Sequence, residues 1–145
     1  MYDMSKIILA NYNSARFKEQ VVELVGKPYS ILQRLRMNGN GSGRLEIIEY
    51  SPQLADCFGE HSGRKQAIIE LRPKGVIVYM RNHINDFVWC IPYWSLSIFQ
   101  SNLYSIHSNG HFIKIEMFKA LKVSKDFFHK MLEHKAKYNS NQSLS

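Results

Sequence analysis

The fold of this chain is decided by residues Gln66–Phe118, which read QAIIELRPKGVIVYMRNHINDFVWCIPYWSLSIFQSNLYSIHSNGHFIKIEMF. Short apolar runs alternate here with turn residues, a pattern typical of consecutive antiparallel strands. The predicted strands are Ala67–Leu71, Val76–Arg81, Phe87–Ile91, Trp94–Gln100, Leu103–His107 and Phe112–Phe118. The stretch therefore predicts a sheet that is built from hairpins.

Two turns in this stretch carry specific predictions. Arg72-Pro73-Lys74-Gly75 predicts a three-residue hairpin loop, because proline fixes φ and glycine supplies the positive φ of a following bulge. Asn109-Gly110 predicts a two-residue type I′ turn, which places Ser108 opposite His111 and Ile106 opposite Ile113. In that register one face of the hairpin is buried, and it consists of Tyr104, Ile106, Ile113, Ile115 and Met117.

A helix is predicted before the sheet, capped by Asn13 or Ser14 and continuing to about Val25, with Gly26 past its end. Its apolar residues recur at helical spacing and form one face: Phe17, Val21, Leu24 and Val25. The preceding segment, Tyr2–Tyr12, fits either an extension of this helix or an edge strand.

Tyr29–Met37 fits both a strand and a helical turn. We favour the strand, because the link Asn38–Gly43 is rich in glycine and asparagine and Arg44–Tyr50 then follows as a second strand. Between that strand and Lys65, Pro52–Phe58 predicts a short helical turn, with Ser51 as its cap.

A second amphipathic helix is predicted at the end of the chain, capped by Ser124 and running from Lys125 to about Tyr138. Its apolar stripe consists of Phe127, Phe128, Met131 and Leu132. The polar segment Asn139–Ser145 is expected to be a disordered tail.

This order of elements resembles bacterial PH-like (pleckstrin-homology-like) domains over roughly Gln66–Tyr138, with the Ile91-Pro92-Tyr93 step and the Asn-Gly hairpin as the shared pattern. The resemblance implies an α+β fold, with an antiparallel β-barrel of about seven strands that the C-terminal helix caps. It also implies a scaffold that binds lipids, peptides or proteins. Residues 1–138 would form a single domain, with residues 1–27 as an N-terminal helical extension and residues 139–145 as the tail.

Composition sets bounds on the class of protein. The chain has 145 residues, of which 45% are hydrophobic, which suits one globular domain. No apolar run is long enough to span a bilayer, and Ile7–Ala10 is too short for a secretory signal, so we expect a cytoplasmic protein. The formal net charge of +7 lies mostly in the second half, which is compatible with an anionic partner and also with a solvated face that only keeps the protein soluble.

These observations favour a non-catalytic binding module that recognises an anionic or protein partner, such as an anionic lipid headgroup. A homo-oligomer formed through an exposed strand edge is compatible with them. Of the adjacent aromatics Tyr93 and Trp94, one must face outward from a regular strand. The candidate ligand-binding residues are basic, together with the one aromatic: Arg64, Lys65, Lys74, Arg81, Trp94, Lys119, Lys122 and Lys125.

Three other chemistries are compatible with parts of the sequence to different degrees. A metal site is not favoured, because His107 and His111 lie on opposite faces of the predicted hairpin, and no motif implies a cofactor. Cys57 and His61 combine a nucleophile and a base in one loop, so a small cysteine-dependent enzyme is one alternative. Nucleic-acid binding is the other, because aromatic residues are interleaved with basic ones after Phe87.

Overall fold

The structure is a computed structural model that describes residues 5–59, 65–116 and 121–143. Its strands are β1 (Lys6–Leu9), β2 (Gly41–Tyr50), β3 (Lys65–Leu71), β4 (Gly75–Arg81), β5 (Asp86–Pro92), β6 (Ser97–Gln100), β7 (Tyr104–Ser108) and β8 (His111–Glu116). Its helices are α1 (Ala15–Val25), α2 (Ile31–Arg36), α3 (Ala55–Phe58) and α4 (Leu121–Ser143), with 3₁₀ turns at Pro52–Leu54 and Tyr93–Ser95. The chain therefore has an α+β fold.

The strands form one antiparallel sheet in the order β1-β5-β4-β3-β2-β8-β7-β6. Within the described residues β1 and β6 stand at the two ends of this order and do not pair with each other. Over the residues that the structure describes, the sheet therefore has eight strands rather than about seven and is not closed into the predicted barrel. The additional strand is β1, which pairs with β5. The segment before α1 is therefore an edge strand and not an extension of the helix.

The sheet is strongly curved. The rings of Trp89 on β5 and His111 on β8 lie 6.1 Å apart between centroids, although four strand-to-strand steps separate these strands. In a flat sheet four steps would span about 19 Å. The curvature gives the sheet a concave inner face and a convex outer face.

The main core lies on the inner face, where α4 covers the sheet. Phe127, Phe128 and Met131 are buried there, as predicted, and the Phe128 ring stacks on Tyr104 at 4.3 Å between centroids. Leu132 was predicted to join them but is 39% exposed, because it lies at the margin of the stripe. The helix begins at Leu121, before the predicted cap Ser124, and continues to Ser143, so residues 139–143 are helical rather than disordered.

The helix α1 packs on the outer face and confirms its predicted bounds. The Oγ of Ser14 accepts a hydrogen bond from the backbone N–H of Phe17, and Gly26 follows at φ 90°. The predicted apolar face of α1 is buried against Ile77, Val88 and Cys90 of β4 and β5.

The Asn109-Gly110 turn and its register are confirmed. Asn109 and Gly110 have φ values of 52° and 81°, as a type I′ turn requires. The pairs run from Ser108 opposite His111 to Tyr104 opposite Ile115. Ile106, Ile113 and Ile115 are fully buried, whereas Met117 lies outside the described residues.

Three predictions about element type and turn geometry are also wrong. Tyr29–Met37 contains the helix α2 and not a strand. Ser30 and Gln33 form a reciprocal capping box that stabilises its first turn. Gly75 lies in β4 without positive φ. Glycine is needed there because a Cβ would lie 2.2 Å from the carbonyl oxygen of Ile91. The 3₁₀ turn Tyr93–Ser95 replaces the start of the predicted strand Trp94–Gln100, so that only Ser97–Gln100 is strand.

The helical turn predicted at Pro52–Phe58 is confirmed as a 3₁₀ turn followed by α3. Ser51 stands at its N-cap position, but its hydroxyl does not cap the turn. The Oγ of Ser51 accepts a hydrogen bond from the backbone N–H of Phe112 at 3.0 Å instead. Ser51 thus ties the turn to β8.

Candidate functional site

The predicted basic residues are distributed over several parts of the molecule. Lys65 and Arg81 lie near the same end of β3 and β4 but on opposite faces of the sheet. Lys65 is two residues from Ala67, which is buried on the inner face, whereas Arg81 is two residues from Tyr79, which faces outward. Lys74 lies at the other end, in the turn between these strands. Its carbonyl accepts a hydrogen bond from the N–H of Tyr93, the residue before Trp94, at 2.9 Å.

The remaining predicted ligand-binding residues lie elsewhere. Lys125 is exposed on α4, and the backbone of Lys122 belongs to the first turn of that helix. Arg64 and Lys119 lie outside the described residues. The expectation for the aromatic pair is confirmed, since Tyr93 is fully buried and Trp94 is 43% exposed.

A groove lies on the outer face of the sheet, beside α1. It measures about 520 Å³, and we call it the outer-face groove. Its lining includes Ile68 and Tyr79 of the sheet, which we call its floor, together with Tyr12, Arg44 and Arg81. It exists because α1 covers the outer face of β4 and β5 and leaves that of β2 and β3 open.

The strand register aligns the floor of the groove. Arg44 of β2 is directly opposite Ile68 of β3, and Ile68 is directly opposite Tyr79 of β4. Side chains in such positions have Cβ atoms about 5 Å apart. A cation, an aliphatic side chain and an aromatic ring therefore form one continuous row, in which Ile68 is 39% exposed.

The tyrosine of this row is held in place by hydrogen bonds. The hydroxyl of Tyr79 donates to Oε1 of Glu70 at 2.6 Å, and burial, followed by this hydrogen bond, raises the pKa of Tyr79. Arg72 bonds the other oxygen of Glu70 and also donates from Nη1 to the carbonyl of Gly26 at 2.9 Å. The end of α1, the Glu70 carboxylate and the Tyr79 ring are thereby fixed to one another.

The two arginines of the groove differ in their pairing. Nε of Arg81 donates to Oδ1 of Asp86 at 2.6 Å, and this hydrogen bond raises the pKa of Arg81. The guanidinium of Arg44 makes no hydrogen bond or ion pair with any residue that the structure describes. Tyr12 stands near the Arg81–Asp86 pair, and burial and then the charge of Asp86 raise its pKa. Among the described residues, Arg44 is thus the arginine of the groove that no carboxylate pairs.

The Cys57 loop lacks the features of an activated nucleophile. Cys57 is buried on α3, and burial together with the charge of Asp56 raises the pKa of its thiol to about 11. Catalysis by cysteine requires a thiolate, which a raised pKa disfavours. His61, the proposed base, lies outside the described residues.

The aromatic residues considered for base stacking divide into two groups. Trp89, Tyr93 and Tyr104 are buried in the core, whereas Phe99 is 57% exposed at the edge strand β6. Phe99 packs edge-on against His107, which stacks on Phe112 at 5.5 Å between centroids. His111 lies on the other face, against Trp89, as the hairpin register predicts.

The described residues lack two further features. They contain no group of three or more histidine, cysteine or acidic side chains arranged to hold one metal ion. None of the described helices combines the length and the apolar character that crossing a bilayer requires.

Comparison of the chain with protein-family models, with curated proteins and with solved structures gives no significant match.

Sequence reasoning identified one residue of the groove, Arg81, and missed Tyr12, Arg44, Ile68 and Tyr79. The alternation within Lys65–Leu71 already sets Gln66, Ile68 and Glu70 on one face, which was the available signal. That Arg44 stands beside Ile68 depends on the register between β2 and β3, and the long link Ser51–Lys65 does not specify it.

Proposed function

We propose that the protein is a non-catalytic binding module that recognises a small organic anion in the outer-face groove. The anion, a carboxylate or a phosphate ester, would pair with Arg44, while a flat apolar body would rest on Ile68 and Tyr79. The observation that carries this proposal is the guanidinium of Arg44, which no described carboxylate pairs, next to a half-exposed aliphatic side chain. Arginine binds such anions with two parallel charge-assisted hydrogen bonds.

The rigidity of the floor supports a binding role. A site whose side chains are already ordered loses less conformational entropy when a ligand binds. Tyr79 is ordered by Glu70, and Glu70 by Arg72, so that the aromatic part of the floor is preformed.

A PH-like architecture is part of the same proposal. The curved antiparallel sheet with a C-terminal helix on its concave face supports it. The strand β1 and the helices α1 and α2 would be additions to that architecture. Fold alone does not determine the ligand, so the proposed ligand class depends on the groove and not on the architecture.

The test is a titration of ¹⁵N-labelled protein with phenyl phosphate, followed by two-dimensional NMR. We expect saturable shifts of the amides of Ile68 and Tyr79, and weaker binding of inorganic phosphate, which lacks the ring. Arg44→Gln should abolish the shifts, whereas Arg16→Gln, at an exposed position of α1, should preserve them. Shifts that persist in the Arg44→Gln variant would contradict the proposal, as would the absence of saturable shifts in the unmodified protein.

A further inference from the structure

The helix α2 exposes three large aliphatic side chains on one face. Ile31 and Leu35 are each 70% exposed, and Leu32 is 56% exposed. Isolated exposed aliphatic residues are ordinary, but three that share one short helix form a contiguous patch that requires an explanation.

The patch has a defined geometry. At about 100° per residue, the three aliphatic side chains occupy a sector of about 100°, and Arg34 and Arg36 flank that sector on its two sides. Gln33 lies opposite, where its Oε1 accepts a hydrogen bond from the N–H of Ser30 at 2.8 Å. The helix therefore presents an apolar stripe bordered by cations.

The segment of chain that contains α2 carries charge of one sign. No aspartate or glutamate occurs between Glu23 and Glu46, an interval that holds four basic residues: Lys27, Arg34, Arg36 and Arg44. Within the described residues, neither Arg34 nor Arg36 makes a side-chain hydrogen bond or an ion pair. The two arginines that border the stripe are thus available to an anionic surface.

Both ends of α2 are fixed although its apolar stripe is uncovered. Ser30 caps the first turn, and the N–H of Gly39 donates to the carbonyl of Arg34 at 2.7 Å after the last. Nζ of Lys130 on α4 donates to the carbonyls of Asn38 and Gly39 at 3.2 and 3.0 Å. An isolated helix of six residues would not persist in water, so these contacts hold the stripe in place.

We propose that α2 docks the protein onto an anionic lipid bilayer, with Ile31, Leu32 and Leu35 entering the boundary of the acyl chains and Arg34 and Arg36 contacting headgroup phosphates. An apolar stripe bordered by arginines matches the polarity profile of such an interface. A second copy of α2 fits the surface less well, because it would bring four arginines together without an acidic partner. The surface shares no lining residue with the outer-face groove, so each proposal can fail without the other.

The test is cosedimentation with vesicles of phosphatidylcholine, alone or mixed with phosphatidylserine. We expect binding to the mixed vesicles only, weakening between about 0.1 M and about 1 M salt. Leu35→Asp should weaken binding by at least about tenfold, and Arg34→Gln by about fivefold. Two matched controls, Ile84→Asp at an 88% exposed position and Arg16→Gln, should bind as the unmodified protein does.

Because Leu35 is exposed, the variant should keep its circular dichroism spectrum and thermal midpoint, which separates lost docking from lost folding. The proposal is overturned by equal sedimentation with neutral vesicles, by no sedimentation with either kind, or by full binding of Leu35→Asp. It is also overturned if sedimentation equilibrium shows a dimer that Leu35→Asp dissociates, since a second copy of the chain would then be the occupant.

Discussion

The helices α1 and α2 are separated by only five residues and begin in the same way, yet the apolar side chains of α1 are buried and those of α2 are exposed. In each, a serine hydroxyl accepts a hydrogen bond from the backbone N–H three residues later. The apolar face of α1 is buried on the sheet, with Leu24 only 4% exposed, whereas Leu35 of α2 is 70% exposed.

The difference between the two helices shows what local pattern does not determine. Capping and periodicity specify that a helix forms, but the position of the helix relative to the sheet decides whether its apolar stripe becomes core or surface. A stripe that is buried within the chain contributes to its stability. A stripe that is held rigidly and left uncovered is available to a partner.

The largest expected effect comes from truncating the two leucines in turn. Leu24→Ala should lower the free energy of unfolding by about 2–5 kcal/mol, because it leaves a cavity between α1 and the sheet. Leu35→Ala should change it by less than about 0.5 kcal/mol, because it removes no buried contact. Urea denaturation of both variants measures the difference, and equal losses would show that the two stripes have the same role.

Removal of the two caps gives an intermediate effect. Ser14→Ala should lower the free energy of unfolding by about 1 kcal/mol, because α1 is part of the cooperative core. Ser30→Ala should leave the global stability nearly unchanged and increase amide hydrogen exchange within α2 alone. If Ser30→Ala destabilised the whole protein as much as Ser14→Ala does, α2 would have to be counted as part of the core.

The smallest effect concerns the contact between the base of α2 and α4, where the Tyr29 hydroxyl lies 3.5 Å from Nδ1 of His134. Burial, then the charges of Lys137 and Lys130, lower the pKa of His134 below its ordinary value of 6.5. The unfolded chain therefore takes up this proton first, so the contribution of neutral His134 to stability is complete above pH 6.5 and is lost as the pH falls through the lowered pKa.

Urea denaturation at pH 7.5 and at pH 5.5 tests this contact. The unmodified protein should lose more stability between these two pH values than His134→Gln does. His107→Gln provides a comparison, because burial and the charge of Lys114 lower the pKa of that histidine on the opposite side of the sheet. An identical pH dependence in His134→Gln and the unmodified protein would show that His134 does not contribute to the pH dependence of stability.

Local chemistry made part of the fold predictable. The Asn109-Gly110 turn fixed the register of β7 and β8, because a type I′ turn allows only one pairing. The apolar periodicity of α1 and of Phe127, Phe128 and Met131 identified their buried faces correctly.

Prediction failed where two local signals favoured different structures, or where the pairing of distant strands determined the role of a residue. In Tyr29–Met37 the apolar pattern fitted both states, and the glycine- and asparagine-rich link Asn38–Gly43 favoured a strand, whereas the capping pair Ser30 and Gln33, also visible in the sequence, specifies the helix. Gly75 was assigned to a turn because it follows Pro73 and Lys74. Its actual role, the close approach of Ile91, arises only when β5 pairs with β4 and is therefore not visible in the local sequence. The outer-face groove depends on where α1 ends its coverage of the sheet, which no local pattern encodes.

The exposed stripe of α2 can be tested directly with a polarity-sensitive fluorophore at position 35. Leu35→Cys should label selectively, because Cys57 and Cys90 are buried and burial raises their pKa values to about 11 and about 12. Ile84→Cys provides the matched control on the β4–β5 turn. Vesicles that contain phosphatidylserine should shift the emission of the label at position 35 to shorter wavelength and leave that of the label at position 84 unchanged. An unchanged spectrum at position 35 would contradict the claim that α2 presents its apolar side chains to a membrane.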